Sequence, residues 1–228
     1  MIDIYYIVLV LPALLLGLWA QNRVNSTFTK YAQVRAYRGY TGAKAAEMIL
    51  RENGVNDVRI ERTPGNLTDH FDPRSKVIRL SDNVFGSSSI AAIGVAAHEA
   101  GHAVQHAVGY FPIQIRNLFV PIANFGSRIS VPLIFLGAVL SLEGLITIGI
   151  LLFSTVALFQ LITLPVEFNA SRRAMNVLEG TGILEGDELG GAKRVLSAAA
   201  MTYVAALITS VAQLIRLIGI YGNRRDRR

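Results

Sequence analysis

The chain contains no cysteine. That absence removes a disulfide framework, thiolate catalysis and every cysteine-based zinc site, so a bound metal has to be held by His, Asp or Glu. Charge is scarce as well: charged residues make up 17% of the 228 residues and hydrophobic ones 52%, outside the usual balance of a soluble domain. There is no internal repeat and no low-complexity linker. The net charge of +6 would raise nucleic acid as a partner if Lys and Arg formed a stripe with interleaved aromatics. They collect instead beside apolar runs, where the topology bias of membrane proteins is the simpler explanation, and nucleic acid is set aside.

What is abundant is apolar residues in long runs. Ile4 to Ala20 carries no charge and, at about 1.5 Å per helical residue, crosses most of a hydrocarbon core of roughly 30 Å. Asp3 stands where a signal peptide would carry a cation, and "GLWAQN" lacks a small-x-small cleavage pattern, so this run is expected to be an uncleaved anchor. Leu118 to Leu142 is interrupted only by Arg128, and Gly144 to Val166 has no charge. The two are separated by "SLEG" and should form an antiparallel helical hairpin. A fourth run, Val195 to Ile215, leads into the basic tail "YGNRRDRR".

Between Arg23 and about Arg116 the chain is mixed in character. "TGAKAAEMILRENG" reads as a helix capped by Thr41 and closed by Gly54. "DVRIERT" alternates as a strand. Turn chemistry at Pro64-Gly65 and Asp72-Pro73 flanks two short extended segments, Leu67 to Phe71 and Lys76 to Leu80, expected as a hairpin or neighbouring strands. Serines 87 to 89 can cap an alanine-rich helix starting near Ile90.

The segment from 21 to 117 holds twelve of the 22 basic residues and the "SLEG" turn none, which puts the former in the cytoplasm and the latter outside. Arg172, Arg173, Lys193 and Arg194 mark a return to the cytoplasm. If the fourth run spans, Arg216 and the tail end up outside, against the rule; if it lies along the bundle, they do not. The sequence leaves both open.

The alanine-rich helix carries His98-Glu99-Ala100-Gly101-His102. HExxH on a helix sets two imidazoles on one face about 6 Å apart along the axis, suited to two nitrogen ligands of one Zn²⁺, with Glu99 placed as general base. His106 lies about 12 Å along the axis from His98, too far to share the ion, and reads as a structural or hydrogen-bonding neighbour. The position six residues after His102, where the metzincin pattern has its third histidine, is Val108. A third ligand has to come from elsewhere. Glu167, in "LPVEFNASRRA", follows the apolar hairpin, and two crossings return the chain to the side of the histidines. An interfacial charge favoured by the start of the following helix explains Glu167 equally well. His70 could stabilise an oxyanion or orient a substrate, although a lone His in a strand-turn element is more often structural. Arg172 and Arg173 read first as lipid-facing or topology charges.

"HEAGHAVQH", preceded by "LTDHFDPRSKVIRLS" and followed across the apolar hairpin by "LPVEFNASRRA", resembles the bacterial YugP-type membrane zinc metallopeptidases over nearly the whole chain. That family is similar in layout to the HtpX class of membrane gluzincins, whose third ligand is a glutamate opening an E-x-x-x-D motif. The resemblance implies Glu167 as the third ligand. The Asp position is Ser171, so either Ser171 or Asn169 is left to supply the accompanying hydrogen bond. It also implies that the strand pair before the histidine helix borders the cleft and that Leu67 to Phe71 is an edge for substrate backbone.

The expectation is therefore a mainly α membrane protein with three to four transmembrane helices and a small α+β zincin-like part. Its segments are an anchor (1–22), a cytoplasmic catalytic part (23–117), a transmembrane hairpin (118–166), a cytoplasmic helix with the third ligand (167–194) and a C-terminal apolar helix with basic tail (195–228). The expected activity is zinc-dependent endopeptidase chemistry in the bacterial cell membrane. The partners are Zn²⁺, a protein or peptide substrate and the lipid bilayer, with homo-oligomerisation open. A non-catalytic zinc-binding scaffold or chaperone, and an intramembrane protease of the site-2 type, are the alternatives. The latter fits poorly, because the histidine helix is too polar and short-flanked and "EGDELG" is a poor match to an Asp-Gly ligand motif.

Overall fold

In the computed structural model, residues 3–221 are described; the basic tail from Gly222 onward lies outside them. Seven α-helices and three strands follow in the order α1 (Leu11–Ala32, preceded by a π-helical turn at Tyr6–Val10), α2 (Gly42–Glu52), β1 (Arg59–Thr63), β2 (His70–Asp72), β3 (Val77–Ser81), α3 (Asp82–Phe85), α4 (Ile90–Ala107), α5 (Phe111–Val139), α6 (Glu143–Gly180) and α7 (Gly186–Tyr221). Four helical stretches, Tyr6–Ala32, α5, α6 and α7, are long and apolar enough to cross a membrane. The expected breaks at 22, 117, 166 and 194 all fall inside continuous helices. Hydropathy marks where side-chain character changes, whereas the backbone hydrogen-bond ladder runs on. With 38 and 36 residues, α6 and α7 reach about 57 and 54 Å, well beyond a core of roughly 30 Å.

The chain divides into two compact units. One comprises Met1–Ala20, Gln114–Pro165 and Met201–Arg228. Its surface is apolar: Leu18, Leu118, Phe125, Phe135, Leu151 and Ile218 are all exposed, which suits a lipid environment. Here α5 and α6 form the expected hairpin, turning at Leu140–Leu142 with Ser141 at φ 55°. They meet through glycine: a Cβ on Gly126 would lie 2.4 Å from Thr155 Oγ1 and 2.6 Å from the Leu152 carbonyl. Small residues permit this close approach where no hydrophobic effect drives helices together. The fourth apolar run belongs to this unit from Met201 onward, and its first residues, Val195–Ala200, to the other. Arg216 donates from Nη2 and Nε to Asp3 Oδ2 at 2.7 and 2.9 Å, and Thr209 lies against the Ala13 carbonyl.

The other unit comprises Gln21–Ile113 and Val166–Ala200. Helix α4 is its axis, with Ala91, Ala92, Ile93, Ala96, Ala97, Ala100, Ala103 and Val104 buried. Ser89 caps it by accepting from the Ala92 N–H, as Thr41 caps α2 by accepting from Lys44. The sheet order is β1-β3-β2, with β1 parallel and β2 antiparallel to the buried central strand β3. The extended segment expected at Leu67 to Phe71 is displaced: Leu67 adopts φ 56° and the strand is His70–Asp72. The Pro64 turn reaches further than the alternation suggested, because Thr68 Oγ1 donates back to the Pro64 carbonyl at 3.1 Å. Asp69 closes this loop onto β3, accepting from the Ser81 N–H and hydroxyl at 2.7 and 3.0 Å.

Asp72 organises the β2–β3 turn, accepting from the Arg74 N–H at 2.9 Å and the Ser75 hydroxyl at 2.6 Å. These hydrogen bonds, the Ser75 one foremost, hold its pKa down from 3.8 to about 2. A depressed carboxylate contributes stability above its unfolded pKa and loses it as pH falls through the folded one. Asp72→Asn is therefore expected to lower the melting temperature at pH 7. The gap to wild type should close as pH falls from 3.8 toward about 2, measured by thermal melts in detergent across that range.

Candidate metal centre

Helix α4 places His98 and His102 one turn apart, their ring centroids 4.7 Å from each other and the rings nearly perpendicular. Glu167 reaches the pair from α6, two residues beyond Pro165. Its Oε2 lies 3.2 Å from His98 Nε2 and 3.3 Å from His102 Nε2, and all three ligand atoms fall within 4.8 Å of one another. Side-chain exposure falls from 15% at His98 and 11% at His102 to 3% at Glu167, so the carboxylate is the innermost donor.

Glycine makes this approach feasible. A Cβ on Gly101 would stand 2.6 Å from the Ala170 carbonyl of α6, so only a residue without a side chain lets the two backbones come together there. Ala97, Ala170 and Ala174 are buried. The run of small residues on α4 thus sets how near Glu167 comes to the imidazoles.

The far side of each ring is also occupied. His98 Nδ1 lies 3.1 Å from Ser171 Oγ, and His102 Nδ1 lies 3.0 Å from Gln105 Oε1. Partners at Nδ1 leave both Nε2 atoms directed toward the glutamate, the arrangement common to metal-binding histidines. Zn–N and Zn–O bonds of about 2.0–2.2 Å in a tetrahedron imply ligand atoms about 3.3–3.6 Å apart, and the measured 3.2 and 3.3 Å agree. Two imidazoles and a carboxylate are a donor set that Zn²⁺ accepts. Burial pushes the His102 pKa down, but the Glu167 carboxylate beside it, and Glu99 more weakly, push it up further, so the net shift is upward. A cation bound there would compete with a proton for His102.

Of the other residues singled out in the sequence, Glu99 is half-buried next to His98. His106 is exposed, and its ring meets Phe71 of β2 edge-on at 6.0 Å. The residue that holds His102 is its neighbour Gln105, which the sequence reading passed over. Its signal was an uncharged amide three residues past His102, on the same helix face, amid alanine and valine. Asn169 is not the hydrogen-bond partner of either histidine ring; its Oδ1 accepts from Gln105 Nε2 and from Arg173 Nε. Arg173, read first as a topology charge, is therefore tied into the unit's interior, while Arg172 is exposed. His70 is exposed on β2, with Nδ1 2.8 Å from the Thr68 carbonyl.

These features define a class: a mainly helical chain with four helices suited to crossing a membrane and a built His-His-Glu donor set. The chain belongs to the family described as "Putative neutral zinc metallopeptidase", whose sequence model matches residues 6–222. It is similar to the Bacillus subtilis (strain 168) protein named "Putative membrane protease YugP", at 49% identity over 223 residues, 97% of this chain and 98% of that one. No solved structure matches it.

The contact at Gly101 is open to direct test. Gly101→Ala should force α4 and α6 apart, costing about 1–3 kcal/mol as overpacking. It should also lower zinc occupancy, because Glu167 moves with α6. Thermal melting and zinc content of the purified variant check both.

Proposed function

We propose that the chain is a membrane-embedded zinc metalloendopeptidase, with Zn²⁺ held by His98, His102 and Glu167 and with membrane or misfolded proteins as substrates. The observation that carries this reading is the convergence of His98 Nε2, His102 Nε2 and Glu167 Oε2, with both Nδ1 atoms against oxygen partners. Family membership supports it. Bound there, Zn²⁺ would activate a water and polarise the scissile carbonyl.

The chain's own residues do the rest. Glu99 takes the proton from the attacking water and delivers it to the nitrogen of the departing amine. Ser171 and Gln105 hold the imidazoles in register. Among the described residues strand β2 pairs only with β3, which leaves its outer edge for an extended segment by strand addition. The Phe71–His106 contact sets that edge against α4. His70, exposed on β2, would contact such a segment.

In topology, the polar segments 21–117 and 167–194 lie in the cytoplasm. The Asp3–Arg216 pair supports four crossings, since an even number brings the two chain ends to the same side. It also neutralises the one described basic residue of the C-terminal end. Helix α4 is not among the four apolar helices, which weighs against intramembrane proteolysis of the site-2 type.

The test is zinc content and cleavage of a casein substrate by the purified full-length protein. Glu99→Gln should keep its zinc and lose roughly 10²- to 10⁴-fold in rate, whereas His98→Ala and Glu167→Ala should lose both. Cleavage that survives Glu99→Gln would sink the mechanism, and full zinc occupancy in Glu167→Ala would sink the ligand assignment. A zinc-bound wild type that cleaves nothing would point to the scaffold reading.

A further inference from the structure

Gln105 is completely buried. A primary amide in such a place is costly unless its hydrogen-bonding groups are met, and here they are met directionally. Its Nε2 donates to the Val166 carbonyl at 2.8 Å and to Asn169 Oδ1 at 3.0 Å. A carbonyl can only accept, so the amide nitrogen is fixed on that side. Asn169 is fixed in turn by Arg173, whose Nε has only a proton to offer and donates to the same Oδ1 at 2.8 Å. The Arg173 guanidinium also sits over the Tyr110 ring, 5.8 Å from its centroid. With its nitrogen committed, Gln105 can present only Oε1 to His102 Nδ1, at 3.0 Å.

We propose that Arg173, Asn169 and Gln105 are positioning residues that form a one-way hydrogen-bond relay, forcing the proton of His102 onto Nδ1 and keeping the Nε2 lone pair free for a metal. Each step follows from the chemistry of the one before. Arg cannot accept, so Asn169 turns its oxygen outward. That oxygen and the Val166 carbonyl take both Gln105 N–H groups, and the remaining amide oxygen selects the imidazole tautomer. The acceptor is a neutral amide rather than a carboxylate, so the ring is oriented without a second buried negative charge beside Glu167. Residues outside the ligand set thereby prepare one ligand before any metal arrives. This inference rests on the zinc-site reading above, and its test separates the two.

The test uses the full-length protein in detergent and two readouts. Histidine ring ¹⁵N shifts at alkaline pH report which nitrogen of His102 carries the proton in the metal-free protein. Competition with a chelator gives the zinc affinity. Wild type should show the Nδ1–H form. Gln105→Met, of similar volume, should lose that preference and bind zinc roughly 10- to 100-fold more weakly. In case Gln105→Met does not fold, the half-buried Arg173 supplies a second pair of variants. Arg173→Met should weaken zinc binding less, roughly several-fold, and Arg173→Lys, which also only donates, should restore it. An Nε2–H tautomer in wild type overturns the relay. So does an unchanged tautomer and zinc affinity in Gln105→Met with only the melting temperature lowered, or an equal loss in Arg173→Lys and Arg173→Met. A wild type that shows the Nδ1–H form but takes up no zinc supports the relay and overturns the metal reading instead.

Discussion

The close contact of α4 with α6 at Gly101 and Ala170 is the constraint on which the candidate centre depends. Two helices with ordinary side chains at their crossing stay about 8–10 Å apart, and how far Glu167 must reach for the two imidazoles depends on that spacing. Removing the Cβ at Gly101, whose place lies 2.6 Å from the Ala170 carbonyl, brings the backbones together. Glu167 then arrives within 3.3 Å of both Nε2 atoms. Alanines at 97, 170 and 174, all buried, keep the seam narrow on either side. Such a seam yields little hydrophobic free energy per residue, but what it supplies here is position.

The same narrowness explains the polar network behind the two histidines. Around a tightly packed helix pair there is little room for water to satisfy buried groups, so protein groups must do it. Ser171, Gln105 and Asn169 each come from positions one turn or less from a ligand, and each hydrogen bond ends on a group that can serve it. The result is a directional environment in which each imidazole has a fixed orientation. In the membrane-type unit the same device recurs without polar chemistry, through Gly126, Gly137 and Gly149 between α5 and α6. Close backbone approach through glycine recurs in both units, between two apolar helices in one and beside Glu167 and the two histidines in the other.

Much of the local structure was legible because it is governed by local rules. Thr41 and Ser89 cap their helices where short polar side chains precede apolar periodicity, and Asp72 before Pro73 makes the turn its chemistry suggests. The α5–α6 hairpin follows from two uncharged runs and a short break. The misplacements have equally physical causes. Leu67 to Phe71 alternates like a strand, yet the Thr68 hydroxyl folds back onto Pro64 and holds Leu67 at a positive φ, so the strand starts only at His70. The expected boundary at 166 is a different matter: it lies inside α6, yet the division between the two units falls at Pro165–Val166, because hydropathy changes there while the backbone does not. Gln105 went unread and Arg173 was read as a topology charge because an amide and a cation acquire meaning only from what faces them. Gln105 is directed by a carbonyl 61 residues away, and no spacing rule reports that.

By itself the sequence determined a cysteine-free chain with long apolar runs and an HExxH pattern on a helix, all set by composition and by periodicities of a few residues. It left Glu167 divided between a ligand and an interfacial charge, and it left the fourth apolar run without a place. Tertiary structure alone decided that the Glu167 carboxylate turns inward to the two histidines and that Arg216 pairs with Asp3. It also decided that Gln105, rather than His106, stands behind His102. The reason is the same in each case: these contacts, or for Gln105 the Val166 carbonyl that orients its amide, join residues distant in the chain, fixed by how closely two helices can approach, and that distance is a property of the packed pair rather than of either segment.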